Sequence, residues 1–242
     1  MRTIAFVTQK GGTGKTTLAA SLAVAAASAG ERVIALDLDP QASLVRWGKR
    51  RETANTPNKV MIEPLEEERL PRLRAILEGL AGVGFTLAIF DTGGGASVAA
   101  RFVTEAVDLC LLPARPTLLD VEAAAATFRA VFLAKRKAAF ILNQCPPTHR
   151  SWRTEDSAER LMRLGVLAKP MLTARMDFQD SIRAGLGATE YAPGGKAAEE
   201  VEAFWLWVRG QFEGYKSEVP AYKRSNRTAG ANLSSDLLSP LQ

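Results

Sequence analysis

The chain has 242 residues, 47% of them hydrophobic, and a formal charge of +5. That length fits one large α/β domain, and no apolar run approaches the ~18 residues that a membrane-spanning helix needs. Two cysteines, Cys110 and Cys145, exclude a disulfide framework and a multi-cysteine metal site within one chain; a reducing cytoplasm is the expected compartment. The first apolar stretch is short and runs directly into a lysine and glycines, so it does not read as a signal peptide. The mild positive charge suits a polyanionic partner without requiring one.

In chain order, TIAFVT (3–8) reads as a buried strand, followed by a glycine-rich loop and an alanine-rich helix over 15–29 that Gly30 closes. RVIALD (32–37) is a second buried strand, 42–51 a helix, and KVMI (59–62) a short edge strand. Residues 65–81 read as one amphipathic helix. TLAIFD (86–91) and DLCLLPA (108–114) are apolar strands separated by a helix near 97–106. A helix with a basic end spans 120–137, and AAFILNQ (138–144) is a further buried strand. A helix near 155–164, a short strand near 169–172, and helices over 177–185 and 195–213 complete the order. Uniformly apolar strands alternating with helices predict an α/β fold: a single doubly wound, mostly parallel sheet with helices on both faces. The expected domain is 1–214. Residues 215–242, rich in Ser, Asn, Lys and Pro without a period, read as a flexible tail.

The loop QKGGTGKTT carries the chemistry. A phosphate-binding loop of the usual spacing begins with glycine, but position 9 here is Gln9, and the loop gains a second lysine, Lys10. Gly11, Gly12 and Gly14 permit the torsions that turn successive N–H groups toward one anion. The helix opening at Lys15 adds its positive dipole end. Lys15 suits the β- and γ-phosphates, and the Thr16 hydroxyl suits Mg²⁺. The nucleotide-binding set is therefore Gly11, Gly12, Thr13, Gly14, Lys15, Thr16 and Thr17. Asp37 and Asp39 end the second strand, in ALDLDPQ, and Asp91 ends another, in AIFDTGGG. Ligands of doubly wound sheets lie beyond the carboxyl ends of the strands. The three aspartates are thus expected to converge where the metal and an attacking water would lie. Taken singly, each also fits a helix cap or turn.

KGGTGKTT (10–17), DLDPQ (37–41) and DTGGG (91–95) resemble the ParA/MinD family of deviant-Walker P-loop ATPases, and GATEYAPGGKAAEEV (187–201) is similar to the late segment of its ParA-type members. The resemblance covers about residues 1–213 and implies ATP and Mg²⁺ as ligands. Lys10 is implied to be the signature lysine, reaching the partner's ATP across a homodimer, as an arginine finger does in trans. Asp39 is implied to orient or activate the attacking water, Thr16 to hold Mg²⁺ with Asp37 and Asp91 beside it, and Asn143 to contact adenine. Gly93, Gly94 and Gly95 stand where many relatives carry prolines, in the position of a γ-phosphate-sensing switch.

The resemblance implies nonspecific DNA binding by the ATP dimer, a ParB-like activator with a basic segment, nucleoid association, and movement of a plasmid or protein cargo. Arg175, Arg183 and Lys196 are the expected DNA contacts, within a C-terminal third that also holds Arg150, Arg153, Arg160, Arg163 and Lys169. The bland alternative is solvated helix faces paired with Glu155, Asp156 or Glu159. A MinD-like membrane-surface ATPase and a metabolic P-loop enzyme are the competing functions. The tail lacks an amphipathic period, so no membrane is expected. Trp205 and Trp207 read as part of a helix docked on the sheet. Cys110 and Cys145 suit no iron–sulfur cluster, and His149 reads as a solvated loop residue. The chain starts at its first strand, so the short partition type, without an N-terminal helix-turn-helix, is expected.

Overall fold

A computed structural model describes residues 1–54, 56–95, 97–148 and 151–213; the expected tail, His149 and Arg150 lie outside the described residues. Among the described residues seven strands form one sheet: β1 (Arg2–Phe6), β2 (Val33–Asp37), β3 (Val60–Pro64), β4 (Leu87–Asp91), β5 (Leu109–Ala114), β6 (Ala138–Leu142) and β7 (Val166–Leu167). Their order is β3-β2-β4-β1-β5-β6-β7, and every pairing is parallel. Parallel neighbours need crossovers, which the helices supply: α1 (Lys15–Ser28), α2 (Ser43–Thr53), α3 (Leu73–Gly82), α4 (Val98–Ala106), α5 (Leu118–Leu133), α6 (Trp152–Met162), α7 (Met176–Ala184), α8 (Ala188–Tyr191) and α9 (Lys196–Gly210).

Strand side chains alternate between two cores, as the two-residue period of a strand demands. Ala5, Ile34, Leu36, Phe90, Leu112 and Phe140 face the layer formed by α3, α4, α5 and α6. Ile4, Phe6, Val33, Ile89, Leu111 and Ile141 face the layer of α1 and α9, where Phe204 and Trp205 are buried. The last helix therefore docks on the sheet as expected. Helix α1 is buried from Leu18 to Ala26, and its small side chains let it lie close against the sheet between α2 and α9. Cys110 and Cys145 are both buried.

Four local expectations need correction. Residues 65–81 are not one helix: Glu67–Arg72 is a 3₁₀ segment containing Pro71, and α3 begins only at Leu73. Proline has no N–H to donate and crowds the preceding turn, so the α-helix starts after it. Strand β7 pairs Val166 and Leu167 with Ala139 and Phe140, ahead of the expected 169–172. Pro170 there cannot donate to a ladder, although Ala168 and Leu172 each still donate to β6. Helix α5 ends at Leu133, and Lys135 adopts a left-handed φ of 56°, so the basic run lies beyond the helix. The short α8 was not expected; it opens at Gly187, whose N–H donates to the Glu190 carboxylate at 3.0 Å.

Candidate functional site

The site sits at the carboxyl ends of β1, β2 and β4, where the strand order places β4 between the other two. The loop from Gln9 to Gly14 joins β1 to α1, with Gly12 and Gly14 at φ 75° and 90°. A Cβ on Gly14 would collide with the Asn143 amide, so this position requires glycine for space as well as torsion. Lys15 is 7% exposed, and its Nζ donates to the Lys10 carbonyl at 3.3 Å. Burial lowers its pKa, while the Asp91 and Asp39 carboxylates draw it back up. The ammonium is thus held against the loop by the Lys10 carbonyl.

The three aspartates do converge, and each is held differently. Asp37 and Asp91 stand side by side in the β2–β4 register. Asp37 accepts the Asp39 N–H on one oxygen and the Val45 N–H on the other, each at 3.0 Å, and thereby straps down the loop that carries Asp39. Burial raises its pKa. Asp39 is half-buried, and one of its oxygens accepts the Gln41 N–H at 2.9 Å. A Cβ on Gly93 would lie 3.6 Å from its carboxyl carbon, and one on Gly94 3.5 Å from Gly11. The Gly95 N–H donates to the Gln9 carbonyl at 2.9 Å. The glycine run therefore packs directly on the phosphate loop and beside Asp39.

Asp91 is fully buried, and neither of its carboxylate oxygens has a hydrogen-bond partner among the described residues. Burial pushes its pKa up to about 7, with the nearby Thr16 hydroxyl pulling the other way without reaching full hydrogen-bond geometry. A buried carboxylate with no partner is costly unless something else completes it. Among the described residues no three acidic, histidine or cysteine side chains gather as a metal cage. Magnesium does not need one, since it takes one or two protein ligands with waters and substrate phosphates. Thr16, with Asp91 behind it, fits that donor set.

Two joined cavities follow the loop. One, of about 510 Å³, is lined by Gly11, Gly12, Lys15, Thr16 and Asp39, and also by Arg46 and Arg50 of α2. The other, of about 210 Å³, is lined by Leu18, Asn143, Arg175, Met176 and Phe178. Gly14, Thr17 and Gln144 line both. Asn143 is buried and donates its amide to the Thr13 carbonyl at 2.7 Å, so it braces the loop while lining the second cavity. The sequence reading missed Arg46, Arg50, Gln144 and Phe178. The one available signal was the four-residue spacing of Arg46 and Arg50 directly after the Asp39 turn.

The expected basic cluster divides. Arg160 pairs with Asp156 at 2.7 Å and Arg163 with Glu159 at 2.5 Å, each four residues apart on α6. Arg153 lies 5.7 Å over the Trp152 ring. Arg175 directs two nitrogens at one oxygen of Glu200, which also receives Thr173. Arg183, Lys196 and Lys169 are exposed and have no carboxylate partner among the described residues.

A glycine-rich loop between the central strand and a helix N-terminus, with strand-end aspartates beside it, defines a P-loop nucleoside-triphosphatase. Residues 4–185 match the CobQ/CobB/MinD/ParA nucleotide binding domain. The chain is 34% identical over 207 residues to the maintenance of carboxysome distribution protein A of Gloeobacter kilaueensis, covering 84% of this chain and 89% of that protein. It is 35% identical over 131 residues to protein virC1 of Rhizobium rhizogenes, covering 54% of this chain and spanning only 56% of that relative's length. Apo McdA of Cyanothece superposes with a TM-score of 0.71 at 17% identity, covering 85% of this chain and 98% of that one. The MinD cell division ATPase of Pyrococcus furiosus does so at 0.67 and 22%, covering 87% and 99%; both likenesses concern the fold. The chain belongs to the ParA/MinD family of P-loop ATPases.

Proposed function

We propose that the chain is a magnesium-dependent ATPase of the ParA type. Its ATP-bound form is a sandwich dimer that binds DNA without sequence preference and positions a cargo. A partner with a basic segment stimulates hydrolysis and release. The observation that carries the ATPase reading is the meeting of Lys15, Asp39 and the unpartnered Asp91 at one phosphate loop. In this reading the purine occupies the smaller cavity beside Asn143, and the phosphates lie over Gly11–Thr17. Thr16 holds magnesium, with Asp37 and Asp91 behind it; the ion supplies charge neutralisation at the transferring phosphoryl group. Lys15 meets the β- and γ-phosphates, Asp39 orients the water, and Lys10 reaches the partner's nucleotide. The positioning role is supported by relatives named for carboxysome distribution and for plasmid partitioning.

The test compares wild type with Lys15→Ala for nucleotide binding, and measures wild-type binding to random duplex DNA with ATP, ADP and no nucleotide. Lys15→Ala is expected to abolish ATP binding; retained affinity would refute the phosphate-site reading. Wild type is expected to bind DNA only with ATP. Absence of that binding, together with capture by lipid vesicles, would replace the DNA role with a membrane-surface one.

A further inference from the structure

Helix α2 places two arginines one turn apart, Arg46 and Arg50, in the wall of the cavity that the phosphate loop also lines. Both are exposed, and neither has a carboxylate partner among the described residues. Their contacts are single bonds to neutral groups. Arg46 Nη2 donates to the Ser43 hydroxyl at 3.1 Å, and Arg50 Nε donates to the Ile182 carbonyl at 3.3 Å. Most guanidinium donors therefore remain free. Among the described residues, the charged side chains lining this cavity are Lys15, Arg46 and Arg50 against Asp39, three cations to one carboxylate. Such a wall suits a ligand with several negative charges, and guanidinium groups match phosphate oxygens in pairs.

We infer that Arg46 and Arg50 form a second cationic clamp on the nucleotide phosphates, supplied by the same subunit and distinct from the lysine that acts across the dimer. This rests on the ATP reading above. The two positions divide the work. Arg46 is bonded to Ser43, at the start of the helix that follows the Asp39 turn, and so stands on the terminal-phosphate side. Arg50 is bonded to α7, which also walls the purine cavity through Met176 and Phe178, and so stands on the inner-phosphate side. Arg46 thereby favours the triphosphate over the diphosphate, whereas Arg50 serves both.

The test titrates fluorescent ATP and ADP analogues, and random duplex DNA with ATP present, against wild type, Arg46→Ala, Arg50→Ala, the corresponding lysine variants, and Arg74→Ala on the distant α3 as control. Both arginines are exposed, so folding should persist, and thermal melting checks it. Arg46→Ala should weaken ATP binding roughly tenfold and ADP binding little. Arg50→Ala should weaken both by a similar factor, each loss being that of a charge-assisted hydrogen bond. The lysine variants should recover part of the affinity, because charge returns without the two-pronged geometry. Wild-type affinities for both nucleotides in both alanine variants would overturn the clamp alone. Loss of DNA binding with nucleotide affinity intact would do the same and reassign the arginines to DNA. Failure of wild type to bind ATP would overturn the ATP reading and the clamp together.

Discussion

Lys10, in the phosphate loop, and Lys15, which opens α1, lie five residues apart, yet the fold treats them differently. Lys15 is buried, with Asp91 and Asp39 near enough to act on its charge, and its ammonium caps the Lys10 carbonyl. Lys10 is half-buried. A lysine whose backbone serves its own loop while its side chain is not enclosed there can act elsewhere. Lys10→Ala should accordingly leave nucleotide affinity within about threefold of wild type, and should remove the ATP-dependent increase in mass seen by light scattering. A variant that still dimerises with ATP would end the trans assignment. The placement of the glycine loop after β1, and of the three aspartates at or just past strand ends, was legible because a parallel sheet collects its strand ends. Arg46 and Arg50 were not, because arginines four residues apart on a polar helix also describe any solvated face. Only the packing of α2 beside the phosphate loop distinguishes them.

At the scale of elements, helix α2 is anchored from within. Trp47 is fully buried, and its indole N–H donates to the Leu186 carbonyl at 3.2 Å. Arg51 forms a two-pronged pair with Glu190 at 2.7 and 2.8 Å, and Glu190 also accepts Asn58 and the Gly187 N–H. These bonds lock α2 to α8 and the α7–α8 turn, and so fix the wall of the phosphate cavity. The Arg51 partnership and its hydrogen bonds outweigh burial and hold the Glu190 carboxyl below its ordinary pKa. A carboxylate with a depressed folded-state pKa stabilises the fold above its unfolded value, about 4.3. That stabilisation disappears as pH falls through the lower folded-state value. Glu190→Gln leaves Arg51 buried without a countercharge and should cost roughly 3–5 kcal/mol at pH 7. Denaturant melts of both proteins should converge as pH drops below about 4; a gap independent of pH would show that the charge is not the cause. Helix and strand identities were legible here from apolar runs and glycine stops. The 3₁₀ segment at Pro71 and the two-residue β7 were not, because tertiary pairing and one missing N–H outweighed the local pattern.

For the whole molecule, a charge of +5 matters only through where free cations stand. The dense C-terminal arginines mostly neutralise their own neighbours, and Arg175 is committed to Glu200 within the wall of the smaller cavity beside Asn143. Arg183 and Lys196 remain exposed and without an acidic partner among the described residues, so the proposed DNA face rests chiefly on them. Each phosphate contact contributes about 0.9 to the slope of log affinity against log salt. In a dimer the two residues count twice. Joint substitution by alanine should therefore flatten the slope by up to roughly 3.6 and weaken binding to all duplex sequences alike. Arg175→Ala should behave differently. It releases Glu200 from its ion pair and disturbs the Thr173 loop, so nucleotide affinity should fall while the salt slope of the ATP-saturated protein holds. A flattened slope in Arg175→Ala, with none in the Arg183 and Lys196 double variant, would place the DNA face around the purine cavity. It would also mean that the Glu200 pair opens when DNA binds.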